Sequence, residues 1–295
     1  MDIVYHIGAG CTDEDRLLKS LLKNNEALLA RGVVVPGPSR YRPLIREAIR
    51  NLAGAPAPPG TRDVLIDAIL GERPEPDRVE RLVMSNWRFI SMPNLAFVRG
   101  GLYRLATPKV SGLAALFPED RLHLFFALRN PATFIPAIYA AAERVPFDEF
   151  LKGVDPQDIL WSDVVAEIRA AAPKATLTVW CNEDTPYLWE EILRGMAGLR
   201  PTDALDGTLD LVVRLLPPEA IPPLQAQLAR LPAEAVTERR AAIADTLEHH
   251  ALTAEVEEVV DVPGWTEATV RDLTHRYEAD LEEIATMDGV RFLRP

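Results

Sequence analysis

Two glycines close to the start of the chain have the spacing of an anion-binding loop. The first residues read M-D-I-V-Y-H-I-G-A-G-C-T-D-E-D-R, so an apolar run is followed by Gly8 and Gly10 and then by an amphipathic helix. A strand that ends in such a turn directs backbone N–H groups at the space before the helix, where the helix dipole adds about half a positive charge. Glycine accepts a positive φ without steric cost, which lets a ligand approach the backbone closely.

Known phosphate-binding fingerprints are incomplete in this loop. A Walker loop requires G-x-x-x-x-G-K-[ST], and the chain has neither the second glycine nor the lysine. A dinucleotide-binding fingerprint requires a glycine where Asp13 stands. Thr12 followed three residues later by Asp15 is instead close to a capping box, and acids in a first turn complement the helix dipole. Two interpretations stay open: a ligand loop, or a helix cap in which the protein supplies its own anion.

A second segment places an arginine directly after a buried type of strand. Leu122–Leu128 is predicted as the strand, Arg129 follows it, and Pro131 opens a helix that carries Tyr139. An arginine fork suits phosphate groups, because its N–H donors match their oxygens. An ion pair with one of the chain's many acids explains Arg129 equally well.

These segments together resemble the cofactor-binding elements of sulfotransferases. The stretch H-I-G-A-G-C-T from His6 is similar to the 5′-phosphosulfate loop of bacterial members, which is approximately H-I-G-x-x-K-T-G-T-T. The order strand, Arg, Asn, Pro, helix, Tyr is similar to their 3′-phosphate element. Further agreement lies in R-L-V-M-S-N-W from Arg81, in T-V-W-C-N-E-D from Thr178, and in the closing R-Y-E-A-D-L-E-E-I and G-V-R-F-L-R-P. The resemblance spans nearly the whole chain.

The resemblance implies an activity and a set of site residues. It implies sulfuryl transfer from adenosine 3′-phosphate 5′-phosphosulfate to a hydroxyl acceptor such as a carbohydrate or another small molecule, without a metal. Seven residues match the positions that hold the sulfonucleotide: Gly8, Ala9, Gly10, Cys11, Thr12, Arg129 and Tyr139. Two residues match the border of the acceptor cleft: Asn86 and Trp87.

Other polar residues near these elements are candidates on their own chemistry. Arg40, Arg42 and Arg46 follow the second predicted strand and suit an anionic acceptor, with a solvated helix face as the alternative. No residue stands out as a catalytic base. His6 precedes the loop, and Arg16 lies one turn into the helix, from where it could reach back, so these two are the candidates nearest to the chemistry.

The departures from the family pattern fall on the phosphate-binding positions. The loop lysine of the family falls at Cys11, and the serine expected eight residues after the arginine is Ala137. Asp13, Glu14 and Asp15 replace its Gly-Thr-Thr. A carboxylate about 4 Å from a phosphate charge is repelled by about 4 kcal/mol at an effective dielectric near 20, which exceeds the roughly 0.3–1 kcal/mol gained at a helix terminus. The residues therefore favour loss of sulfonucleotide binding, and leave open an unusual transferase or a non-catalytic or repurposed member that binds a partner or another ligand.

Composition limits the partners. The chain of 295 residues has a net charge of −12, which argues against a nucleic-acid surface because such surfaces cluster Lys and Arg. No run approaches the roughly 18 apolar residues of a membrane span, and the start lacks the features of a signal peptide, so we expect a cytoplasmic protein. His249 and His250 have no third ligand nearby, so no metal site is expected. The oligomeric state stays open.

Alternating strand-like and helix-like segments predict the elements that position these residues. The pattern favours an α/β fold with a central, mostly parallel sheet flanked by helices, P-loop or sulfotransferase-like, because βα units build such sheets. One continuous leucine stripe predicts a single helix from Leu17 to Leu29 that ends before Gly32. The predicted strands are Ile3–Gly8, Val33–Val35, Arg81–Ser85, Leu122–Leu128 and Thr176–Trp180.

Proline clusters indicate the domain organisation. The segments Ala55–Gly60 and Glu72–Asp77 bracket a short helix, predicted as an insertion near residues 54–78 outside the sheet. A further cluster from Leu216 to Pro223 separates an α/β core, residues 1–215, from a helical C-terminal region, residues 216–295, packed on it. Because ligands of open α/β sheets bind at the carboxyl ends of the strands, we expect Gly8–Thr12 and Arg129 at one sheet edge.

Overall fold

The computed structural model describes residues 1–71, 78–142, 146–256, 258, 260 and 262–295. At its centre lies a six-stranded sheet in which every neighbouring pair is parallel, in the order β2-β3-β1-β6-β7-β8. The second, two-stranded sheet is an antiparallel hairpin of β4 and β5. The strands are β1 Asp2–Gly8, β2 Val33–Val34, β3 Arg81–Ser85, β4 Phe97–Val98, β5 Gly101–Leu102, β6 Arg121–Leu128, β7 Thr176–Cys181 and β8 Val290–Leu293.

Helices cover both faces of the central sheet, which confirms the predicted fold class. On one face α1, α2 and α9 pack on the sheet, and on the other face the main core holds α3 to α8 and α14. The helices are α1 Arg16–Leu22, α2 Asn25–Leu29, α3 Pro38–Leu52, α4 Thr61–Leu70, α5 Ala106–Leu116, α6 Pro131–Ala142, α7 Phe147–Leu151, α8 Trp161–Ala171, α9 Thr185–Ala197, α10 Asp210–Leu215, α11 Ile221–Leu228, α12 Val236–His250, α13 Thr253–Val256 and α14 Glu267–Ala285. None of the described helices is both long and apolar enough to cross a membrane.

The five predicted strands all occur, with ends shifted by no more than one residue. They were recognisable because a parallel strand buried on both faces is a nearly continuous apolar run. In β1, the central strand, every residue is buried. The helix that follows β1 packs on one face of the sheet, and α5 after β3 packs on the other. A crevice therefore opens between the carboxyl ends of these neighbouring strands, which is where open α/β sheets bind ligands.

The prediction of one helix from Leu17 to Leu29 is wrong, because the leucine stripe is divided between α1 and α2. Asn24 lies at the break. Its side-chain amide donates to the Ser20 carbonyl at 3.0 Å and to the Asp206 carbonyl at 2.9 Å, while its amide oxygen accepts from the Asp206 N–H at 2.8 Å. A distant loop thus holds the Asn24 side chain at the break between the two helices.

The expectation that everything beyond Leu216 is helical is also wrong at its end. Val290–Leu293 forms β8, which pairs with β7 and completes the sheet. Its alternation of partly buried and exposed residues fits an edge strand, but four residues are too few to distinguish from a turn in the sequence. The helices α10 to α12 enclose a separate small apolar cluster, whereas α14 packs against α6 and α8 of the main core.

The insertion helix is α4, which lies outside the sheet and buries four residues in the main core: Leu65, Ile66, Ile69 and Leu70. The second proline cluster of the prediction, residues 72–77, lies outside the described residues.

Candidate functional site

Both glycines of the loop after β1 lie in tight surroundings, and Gly8 also has a positive φ. Gly8 has φ +121°, and a Cβ atom there would lie 3.1 Å from the Trp87 carbonyl oxygen. A Cβ atom at Gly10 would lie 2.8 Å from the Ile138 side chain. The Gly10 N–H donates to the Tyr103 hydroxyl at 3.1 Å. The glycines therefore serve the close packing of this loop against its neighbours, whether or not a ligand is bound.

A carboxylate of the chain itself occupies the N-terminal end of α1. Asp13 is 4% exposed, and its carboxylate accepts from the Leu17 N–H at 3.2 Å and from the Asp15 N–H at 3.3 Å. An external anion bound at a helix N-terminus uses N–H groups of the same first turn. Two of the donors that a phosphosulfate would need are therefore already satisfied by Asp13.

The predicted capping box of Thr12 and Asp15 is wrong. The Thr12 hydroxyl donates to the Ala9 carbonyl at 2.8 Å, so it closes the loop and does not cap the helix. Asp15 is the residue before α1, but its side chain makes no capping hydrogen bond. The broader interpretation, that the protein supplies its own anion here, agrees with the position of Asp13. The acid-rich turn predicts a cap, but not which acid provides it.

The other two acids of the loop are bound by arginines. Arg42 forms a two-pronged contact with the Asp15 carboxylate, at 2.9 and 2.5 Å, and also donates to the Ser85 carbonyl. Arg16 pairs with Glu14 at 2.7 Å on the surface, so it does not reach back into the loop as a catalytic group would. Because Arg42 neutralises Asp15, the buried carboxylate that remains nearest to the N-terminal end of α1 is that of Asp13.

Arg129 lies at the same sheet edge as the loop. This buried arginine donates to the Cys11 carbonyl at 2.5 Å, to the Thr133 hydroxyl at 3.2 Å and to the Glu258 carboxylate at 2.6 Å. A cavity of about 420 Å³ beside it is lined in part by Ala137, the position at which the family pattern has a serine. Of the two alternatives for Arg129, the structure contains the ion pair, with Glu258, and it places the arginine beside the loop.

Two candidates lie apart from this group. The Tyr139 ring packs against Phe147 and Phe150, with ring centroids 5.2 and 5.3 Å away, and it does not line the cavity beside Arg129. Arg40 donates to the Leu70 carbonyl at 3.0 Å, at the end of the insertion helix. Each of these contacts gives its residue a structural role that needs no ligand.

The groups that could act as a base or nucleophile are the buried His6 and the partly buried Cys11. His6 is fully buried, its Nδ1 lies 2.9 Å from the Ser85 hydroxyl, and burial lowers its pKa although Asp13 and Asp15 act in the opposite direction. Burial raises the pKa of the Cys11 thiol, although the positive charge of Arg129 lowers it. At neutral pH His6 is therefore uncharged and Cys11 is a thiol, so neither replaces the charge of the missing lysine.

Asn86 and Trp87 border a separate cleft at the carboxyl end of β3. This β3 cleft has a volume of about 500 Å³ and is formed by α3, residues 86–92 and the start of α5. Of the other predicted residues, Arg42 and Arg46 also line it. Arg88 and Lys109 were missed. Arg88 directly follows the S-N-W motif, whereas Lys109 lies on a helix without a motif that indicates function.

Comparisons of the chain with protein-family models, with curated proteins and with solved structures give no match. In the part of the chain that the structure describes, no three or more His, Cys, Asp or Glu residues are grouped to hold a metal ion. At both the loop and Arg129, a carboxylate of the chain already accepts from a donor that a sulfonucleotide would use.

We predict that Asp13→Ala lowers the free energy of unfolding by about 0.5–2 kcal/mol, the usual cost of losing a helix cap. Glu14→Ala, in the same turn but exposed, serves as the control and should change it by no more than about 0.5 kcal/mol. Urea unfolding of both variants and the wild type, without ligand, provides the measurement. Equal stability of the two variants would show that the Asp13 contacts do not hold the end of α1.

Proposed function

We propose that this chain is a sulfotransferase-like protein that has lost the sulfonucleotide site and acts as a binding protein, with the β3 cleft as its ligand site. The motif order supports the family relationship. The parallel sheet supports it as well, because the glycine loop and Arg129 lie together at the carboxyl ends of β1 and β6. The proposal concerns ancestry and binding and does not include a transfer step.

One observation carries the loss of the donor site: the Asp13 carboxylate accepts the N–H groups of Asp15 and Leu17. A phosphosulfate would have to displace this carboxylate or lie beside it. At about 4 Å and an effective dielectric near 20, each pair of like charges costs about 4 kcal/mol. The opposing attraction of the helix end is about 0.3–1 kcal/mol, so repulsion dominates.

The 3′-phosphate position supports the same conclusion. Each nitrogen of the Arg129 guanidinium already has a partner, and one of them is the Glu258 carboxylate. A 3′-phosphate would compete with that ion pair and would lack the hydroxyl that a serine supplies, because Ala137 stands there. Both ends of the donor are thus opposed by the chain's own acids.

Calorimetric titration of the wild-type chain with adenosine 3′,5′-bisphosphate, the desulfated product, tests the proposal. At low ionic strength, where charge effects are least screened, we expect a dissociation constant weaker than about 1 mM, a binding free energy smaller in magnitude than about 4 kcal/mol. Micromolar binding would overturn the proposal and favour a working sulfotransferase.

A further inference from the structure

The β3 cleft has a surplus of positive charge within an acidic protein. Four cations line it, Arg42, Arg46, Arg88 and Lys109, against the single carboxylate of Asp15. Asp15 is already paired with Arg42. Within the described ranges, the other three cations make no ion pair. The chain as a whole has a net charge of −12, so this concentration of unpaired cations favours an anionic ligand.

The walls of the same cleft are apolar. Phe89 and Ile90 are buried at its base, while Met92 is 42% and Leu95 is 36% exposed. The Arg88 guanidinium lies 4.3 Å from the centroid of the Trp87 ring, which holds one of the cations beside an aromatic surface. Apolar walls with a few convergent polar groups are typical of sites for small molecules, and the volume of about 500 Å³ lies in the range of such sites.

We infer that the β3 cleft binds a small amphipathic anion, with an apolar alkyl or aromatic body and one sulfate, sulfonate or carboxylate group. The apolar body contacts Met92 and Leu95, and the anionic group lies among Arg46, Arg88 and Lys109. This inference rests on the proposed function in one respect, since it takes the β3 cleft and not the β1 loop as the ligand site. A sulfated ligand would need no donor nucleotide, because nothing is transferred.

The test is a calorimetric titration of the wild type with 2-naphthalenesulfonate and with octyl sulfate, which separate an aromatic from an alkyl body. The neutral compounds 2-naphthol and 1-octanol are the matched controls. We expect at least one anion to bind in the micromolar range and its neutral counterpart to bind at least about tenfold more weakly, because three cations line the cleft and attract only the charged compound. Failure of both anions to bind would overturn the inference.

Variants locate the site. Arg46→Gln and Lys109→Gln should each weaken binding of the anion about fivefold, the effect of one charge in a solvated cleft. Arg50→Gln removes a charge from the same helix outside the cleft and should leave the affinity unchanged. Undiminished binding in both cleft variants, or a loss in Arg50→Gln of equal size, would contradict the inference.

Two further results would each overturn a different proposal. Binding to phosphatidylglycerol vesicles that depends on Arg46 and Lys109, without binding of either small anion, would overturn the inference in favour of a membrane surface. Tight binding of adenosine 3′,5′-bisphosphate that is unaffected by Arg46→Gln and Lys109→Gln would overturn the proposed function instead, because that ligand would then be held at the β1 loop. The two failures are therefore distinguishable in the same set of titrations.

Discussion

A variant with the family's loop residues is expected to bind adenosine 3′,5′-bisphosphate about a thousandfold more tightly than the wild-type chain. It carries four changes: Cys11→Lys, Asp13→Gly, Glu14→Thr and Asp15→Thr. Removal of one carboxylate at about 4 Å from a phosphate charge relieves about 4 kcal/mol at an effective dielectric near 20, and each 1.4 kcal/mol is about tenfold in affinity. The new lysine adds attraction, and the freed N–H groups of α1 become available. Calorimetry of both proteins at matched low ionic strength measures the gain.

A charge-matched control separates the loop from the net charge of the protein. The control carries four changes that give the same gain in net charge at exposed positions outside the loop: Glu26→Gln, Asp67→Asn, Gln227→Lys and Glu278→Gln. This control should bind no better than the wild type. An equal gain in the control would assign the effect to bulk charge. No gain in the folded loop variant would mean that Arg129 and its surroundings have diverged as well.

Replacement of Trp161 by alanine is expected to lower the free energy of unfolding by about 3–5 kcal/mol, the usual cost of removing a buried aromatic side chain. Trp161 is fully buried at the start of α8 and makes edge-to-face contacts with Tyr103, Phe126 and Phe134. Its indole N–H donates to the Arg129 carbonyl at 2.8 Å. Urea unfolding measures the loss.

Trp265→Ala provides the control for Trp161, because this tryptophan is only half-buried against the core and contacts Phe147. The Trp265→Ala change should lower the free energy of unfolding by clearly less than the Trp161→Ala change does. Similar losses for the two variants would contradict a special role for the aromatic cluster below the site. That cluster matters for the site because Tyr103 also accepts the Gly10 N–H. One aromatic cluster thus holds both sides of the site: Tyr103 holds the glycine loop, and Trp161 holds the backbone of Arg129.

The sequence predicts those parts of the fold that local patterns determine. Five of the six strands of the central sheet were predictable because each lies in an apolar run bounded by turns. The break between α1 and α2 was not, since it depends on the contact of Asn24 with a loop near residue 206. The edge strand β8 was not predicted, because Arg291 interrupts the short apolar run that would mark it.

In the candidate site, too, the features set by local sequence were predictable and those set by distant contacts were not. The sequence places the loop and Arg129 at one sheet edge because both follow parallel strands. It does not show that Glu258, 129 residues further along the chain, pairs with Arg129, or that Arg40 turns to the Leu70 carbonyl. It also cannot show which of the acids in the loop caps α1, because Asp13 and Asp15 differ only in their tertiary surroundings.

The most direct test of the central claim, that the Asp13 carboxylate occupies the end of α1, is an NMR titration of the ¹⁵N-labelled wild type with adenosine 3′,5′-bisphosphate. If Asp13 holds these donors, the amide signals of Asp15 and Leu17 stay in place up to millimolar ligand, because their N–H groups are already hydrogen-bonded. Saturating shifts of both amides at micromolar ligand, together with a shift of the Arg129 side-chain signal, would contradict the claim.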